Sequence, residues 1–232
     1  MLIVDRHPAV RSSLRELVST LGVTSIHMAE SSNAVKRHVG GQRFDVILCD
    51  YLLEAHKDGQ QLLEELRHTH AIPLSTIFMI VTGERAYQSV VSVAELAPDD
   101  YLIKPFTPEH LAQRLHKALE KKHAFHIAHE LIEAGKPRGA IDECDRIAEF
   151  HSRFVLDAFR LKAELLVALG EQDAAEALYR RIVEFKAVPW ARMGLAWVLF
   201  RQGELDAAEE AAKAVIAEKP EFMSAYSFLA EV

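Results

Sequence analysis

Four polar residues stand where apolar runs stop: Asp5 after Met1-Leu2-Ile3-Val4, Asp50 after Val46-Ile47-Leu48-Cys49, Thr82 after Ile77 to Val81, and Lys104 after Tyr101-Leu102-Ile103. Two carboxylates, a hydroxyl and an ammonium at successive strand ends form a set that can converge on one phosphoryl-sized site. A carboxylate attacks phosphorus only when its charge and that of the incoming group are masked, which a bound cation and an ammonium can do. One acid after one strand is ordinarily a loop residue or a helix cap; four such ends in order are a stronger pattern.

The elements that must position them follow from hydrophobic patterning. Val46 to Cys49 shows no polar alternation, as in a strand buried on both faces of a parallel sheet. At the carboxyl edge of such sheets ligands bind. A helix through Val10, Leu14, Leu17, Val18 and Leu21 stops at Gly22. Ser25 to Ala29 reads as the second strand. Asn33 to Val39 reads as a helix ended by Gly40-Gly41, and Leu52 to Lys57 as a loop. Asp58-Gly59 starts a helix through Leu62, Leu63 and Leu66, and Tyr87 to Leu96 carries another, closed by Pro98. Five β-α units in order predict a parallel sheet with right-handed crossovers.

Val4-Asp5, Leu48-Cys49-Asp50, Val81-Thr82-Gly83 and Asp100 to Phe106 together resemble the receiver domain of bacterial two-component response regulators. The resemblance implies an α/β flavodoxin-like, doubly wound five-stranded sheet over residues 1–120. It implies Asp50 as phosphoryl acceptor from a histidine kinase or phosphotransfer protein. Mg²⁺ would be held by Asp5, Asp50 and the Leu52 carbonyl, with Lys104 and Thr82 on phosphoryl oxygens. Tyr101 matches the family's switch aromatic, whose rotamer follows Thr82, and the bond before Pro105 is often cis in this family. Such a domain signals rather than turns over substrate; self-catalysed phosphotransfer and dephosphorylation are the most enzymology it implies. One departure stands out: where the family places a second acid after the first strand, this chain has Arg6. An alternative reading is therefore a degenerate receiver, independent of phosphorylation and used for docking or dimerisation, a homodimer being one such arrangement. A hydrolase using Asp50 as nucleophile would want an acid two residues on, and Leu52 is there.

Thr107-Pro108-Glu109 starts a helix with an N-cap hydroxyl, proline at the first position and an acid in the first turn. Its apolar pattern runs through Leu111, Leu115, Leu119, Ile127, Leu131 and Ile132 without a breaker to Ala134-Gly135. A shared helix would join the two halves; the competing expectation is a hinge at Glu120 to His123, where no residue is apolar.

From about residue 121 the chain repeats itself. Gly135, Gly170 and Gly203 each precede an alanine (Ala140, Ala175, Ala208), and Ala128, Ala163, Ala196 and Ala230 recur on the same beat. A helix-turn-helix period of about 34 residues resembles tetratricopeptide (TPR) repeats. Residues 121–232 thus read as three all-α units and the first helix of a fourth, a solenoid that binds an unknown protein ligand. Lys162 stands where that family prefers leucine. Ending there leaves Tyr226, Phe228 and Leu229 as an uncapped face and suggests a piece of a longer protein.

Composition narrows the classes further. Half the residues are hydrophobic and the formal net charge is −7 without a basic block, against nonspecific nucleic-acid binding. No stretch approaches membrane-spanning length and no charged-then-apolar leader is read. Cys49 and Cys144 are isolated thiols, as in a reducing cytoplasm. His123, His126 and His129 recur every three residues, but no acidic or thiol ligand completes a metal set, and they read as a solvated helical face.

Overall fold

A computed structural model describes residues 1–54, 57–83, 98–186, 188–220 and 222–232. The helix expected over Tyr87 to Leu96 lies outside them. The described residues up to His126 form one compact unit, and those from Ile127 onward a second.

In the first unit, β1 (Leu2–Val4), β2 (His27–Ala29), β3 (Val46–Asp50), β4 (Ile77–Thr82) and β5 (Asp100–Ile103) make one parallel sheet in the order β2-β1-β3-β4-β5. β1, β3 and β4 are apolar because both their faces are covered. Leu2, Val4, Ile47, Cys49, Phe78 and Ile80 pack under α2 (Ser32–Gly41) and α3 (Gly59–His68). Ile3, Val46, Leu48, Ile77, Met79 and Val81 alternate to the other face, under α1 (Pro8–Thr20) and the start of α4 (Pro108–Glu133). The sequence order reverses between β1 and β3, which is where such sheets open a crevice at their carboxyl edge.

The second helix ends on Gly41, with Gln42 extended after it, so the glycine pair is its close. Two local expectations need correction. The second strand begins at His27, not Ser25, whose carbonyl instead accepts the terminal ammonium of Met1 at 2.9 Å. His129 is half-buried, unlike the exposed His123 and His126, so the three histidines do not share a solvated face.

α4 is continuous over 26 residues, roughly 40 Å at 1.5 Å per residue. Thr107 Oγ1 accepts from His110 N at its start, as an N-cap hydroxyl does. The stretch Glu120 to His123 is not a polar break: Lys122 keeps 13% of its side chain exposed, pairs with Asp99 at 3.1 Å and donates to the Leu74 carbonyl.

In the second unit, α5 (Pro137–Phe150), α6 (Val155–Ala168), α7 (Gln172–Phe185), α8 (Pro189–Gln202), α9 (Leu205–Glu218) and α10 (Met223–Leu229) pack each on the next. Gly135, Gly170 and Gly203 have φ of +68°, +77° and +84°, the left-handed conformation that lets each hairpin turn without a Cβ penalty. Ala128, Ala140, Ala163, Ala175, Ala196 and Ala208 are fully buried where helices approach. Ala230 breaks that series: it caps the short α10 and is not buried. Phe228 is likewise not part of an open face; it is fully buried, with its ring edge-on to Trp197 at 4.7 Å. Lys162 is tolerated at a leucine-like position because its ammonium reaches Asp145 on α5 at 2.6 Å.

Candidate functional site

The carboxyl edge of the sheet brings three of the singled-out side chains into direct contact. Lys104 follows β5, and its Nζ donates to Asp50 Oδ1 at 2.8 Å and to Asp5 Oδ2 at 3.1 Å. Asp5 is almost wholly buried, and its other carboxylate oxygen accepts from the His7 backbone N–H at 2.8 Å. Burial pushes the Lys104 ammonium down, but the hydrogen bond and charge of Asp50, then of Asp5, outweigh it and hold it above the ordinary lysine value. Lys104 N also donates to the Thr82 carbonyl at 2.7 Å, which ties the ends of β4 and β5 together. The Lys104–Pro105 bond is cis.

Thr82 ends β4 and is buried at the same edge. Tyr101 is half-buried against the α2–α3 side of the sheet; burial, with the nearby Asp58 and Glu64 charges, pushes its phenol up to about 12. Leu52 lies in the turn after Asp50 and is 48% exposed. Arg6 turns away from the carboxylates to the surface, where its Nε donates to His7 Nε2 at 3.0 Å.

Arg11 and Glu54, which the patterning did not single out, and the Asp58-Gly59 helix start, which it did, also build this edge. Arg11 donates to the Asp5 carbonyl at 2.6 Å and fixes the turn out of β1. Gly59 is forced by space: a Cβ there would lie 2.6 Å from the Asp50 carbonyl oxygen. Its N–H donates to the Tyr51 carbonyl at 2.8 Å, so α3 starts hard against the end of β3. The Asp58 N-cap, with Gln61 reciprocating, explains why the helix begins there. Only the Asp-Gly pair could have pointed to this from sequence. Glu54 braces the turn by accepting from Ser32 N at 2.7 Å and Ser32 Oγ at 2.9 Å.

A response regulator receiver domain family model matches residues 1–116, half of the chain. The chain belongs to the response regulator receiver family. Tetratricopeptide repeat models match residues 126–189 and 189–214. The two-component response regulator PprB of Pseudomonas aeruginosa is 26% identical over 123 residues, 53% of this chain and 44% of that protein. The transcriptional activator protein IrlR of Burkholderia pseudomallei is 29% identical over 133 residues, 53% of this chain and 52% of that one. The chain spans about half the length of these curated relatives. Among solved structures, the chemotaxis response regulator CheY4 of Vibrio cholerae aligns with a TM-score of 0.45 and 22% identity, covering 51% of this chain and 96% of that one.

In the receiver half the donors suit a hard divalent cation in kind: two carboxylates and a backbone carbonyl, with Mg²⁺ normally keeping several waters besides. Asp5, Asp50 and the Leu52 carbonyl would hold it, one acid short where Arg6 stands. Among the described residues no group of three or more His, Cys, Asp or Glu side chains could hold a metal by itself. Cys49, one residue before Asp50, is fully buried, and burial raises its thiol well above the usual range. It is core, not nucleophile. Among the described residues, no helix is long and apolar enough to cross a membrane.

Proposed function

We propose that Asp50 is the phosphoryl acceptor of a two-component signalling receiver (1–120), whose output is protein binding by the repeat half (121–232). The observation that carries this is the bridge from Lys104 to both Asp50 and Asp5 at the sheet's carboxyl edge. An Asp50 carboxylate oxygen attacks the phosphorus of a kinase or phosphotransfer-protein phosphohistidine, and the P–N bond breaks as the P–O bond forms. The Lys104 ammonium moves from Asp50 onto a phosphoryl oxygen, and the Thr82 hydroxyl donates to another. Asp5 keeps its contact with Lys104 and holds it at the site. Mg²⁺ bound by Asp5, Asp50 and the Leu52 carbonyl would supply charge neutralisation for the in-line transfer. Tyr101, beside Thr82's strand, reports the change by altering its packing on the α3 side.

The test is intact-mass measurement after incubation with a small-molecule phosphodonor and Mg²⁺. Wild type gains the mass of one phosphoryl group, and Asp50→Asn, isosteric but a poor nucleophile, gains none. Labelling of the variant at the wild-type level would place the acceptor elsewhere.

Arg6 favours one second reading: a receiver that lacks the second acid and serves as a docking or dimerising scaffold without phosphorylation. Absence of labelling in wild type, together with partner binding or a dimer that ignores Asp50→Asn, selects it.

A further inference from the structure

The second unit holds a cleft of about 620 Å³ between α6, α8 and the start of α10. Tyr179, Trp190, Met193, Trp197 and Phe222 line it. Its floor is close-packed: a Cβ on Gly194 would fall 2.4 Å from the Tyr179 ring, so only glycine lets that ring lie flat on α8. Trp197 is held edge-on to Phe228 at 4.7 Å and to Phe200 at 6.1 Å, yet 38% of it faces the cleft and solvent. A fixed, half-exposed indole in a concave apolar site is the form binding anchors take.

Charge around the cleft is uneven. α8 carries Arg192 and Arg201 and no acid, α10 carries no charge, and α6 is balanced. The intervening helices α5, α7 and α9 each carry an excess of acids. Glu164 is the only acid among the described residues lining the cleft, and Arg160 holds it at 3.2 Å while stacking over Trp190. Arg192 is spent on Glu218 at 2.5 Å. Arg201 is exposed, lines the cleft, and has no ion-pair partner among the described residues. It lies one helical turn from Trp197, so both project on one face.

We infer that this cleft receives a short acidic segment of a partner protein, an aromatic side chain seated on Trp190 and Trp197 and a neighbouring carboxylate on Arg201. This rests on the repeat half being the protein-binding output and adds the place and the chemistry. A neighbouring basic residue would meet Arg201 and the Arg160 edge and be repelled; a purely polar segment would leave the indoles wet.

The chain has two tryptophans, and both line the cleft, so intrinsic indole emission of the full protein reads this site alone. The probes are three capped pentapeptides: Asp-Glu-Phe-Asp-Glu, Lys-Lys-Phe-Lys-Lys and Asp-Glu-Ser-Asp-Glu. The first should shift the emission saturably and bind at least about tenfold more tightly than the other two. Arg201→Glu should weaken it by at least about tenfold and strengthen the lysine peptide. Arg201→Gln, which adds no repulsion toward neighbouring acids, should give a smaller loss in the same direction. Equal or tighter binding of the lysine peptide, indifference to both Arg201 variants, or no saturable change with any peptide each overturns the proposal. A concentration-dependent emission change without peptide, matched by dimer in sedimentation, would make a second copy the occupant and overturn it too. The output reading is judged separately, by whether labelling of Asp50 changes partner binding at any surface.

Discussion

Lys104→Met tests the electrostatics on which the proposed chemistry depends. In the folded chain one ammonium lies 2.8 Å from Asp50 and 3.1 Å from Asp5, and Asp5 is 1% exposed. At an effective dielectric of about 20, each contact is worth on the order of 5 kcal/mol of gross attraction, most of it offset by desolvation. Removing one partner of a buried pair costs about 3–5 kcal/mol, because the other charge is left uncompensated. Lys104 keeps 30% of its side chain in water, and Asp5 retains the His7 N–H, so the low end applies, about 3 kcal/mol. The variant should also bind Mg²⁺ more tightly, since two carboxylates then lack a competing cation. At a hundred times its dissociation constant Mg²⁺ would return about 2.7 kcal/mol. Urea unfolding should be followed by far-UV circular dichroism, while tryptophan emission reports the second unit, where both indoles lie. Alkaline pH gives a second arm. The folded Lys104 value is raised, so its contribution is complete below the unfolded lysine value of about 10.4 and is lost as pH rises through the folded one. Wild type should lose that stability and the variant should not. A variant within about 0.5 kcal/mol of wild type, or equal Mg²⁺ protection of both proteins, refutes the reasoning.

Arg6→Asp should tighten Mg²⁺ binding by at least about tenfold, or 1.4 kcal/mol, by restoring a carboxylate, whereas Arg6→Ala should change little because the guanidinium already faces solvent; titration calorimetry compares them. Gly59→Ala should destabilise the receiver by about 1–3 kcal/mol and slow Asp50 labelling, since the new methyl meets the Asp50 carbonyl; unfolding and mass measurements read both. Lys122→Met should alter the alkaline stability profile in the opposite sense to Lys104→Met. Burial holds the Lys122 ammonium below the ordinary lysine value against the pull of Asp99, with Arg67 adding to the depression. Between that value and about 10.4 the unfolded chain binds more protons, so this group makes stability rise with pH, and its removal should abolish the rise.

Strand ends were legible in the sequence because buried parallel strands permit no polar residue until they emerge, so Asp5, Asp50, Thr82 and Lys104 mark the sheet's edge by themselves. The hairpin glycines were legible for an equally local reason, the left-handed φ at Gly135, Gly170 and Gly203. Where an outcome depended on what arrives from elsewhere in the chain, the pattern was silent. Phe228 looks like the start of an open face until Trp197 and Phe200 turn out to surround it.

Lys122 shows most clearly how a polar stretch can be an anchor. Along the chain, Glu120-Lys121-Lys122-His123 offers no apolar side chain to bury, which made a hinge the competing expectation to a continuous helix. The structure resolves it through partners far off in sequence: Asp99 before β5, the Leu74 carbonyl before β4, and the Arg67 charge nearby. Asp99 is itself fixed, its carboxylate accepting from Phe78 N at 2.7 Å and its own N–H donating to the Phe78 carbonyl at 2.8 Å. The ammonium therefore grips the entry of β5, the same strand that carries Tyr101 and ends at Lys104. A helix that runs past residue 116 without a break is thus tied at Lys122 to the entry of the strand that carries Tyr101 and ends at Lys104. Neither polarity nor propensity along the chain could have revealed that contact.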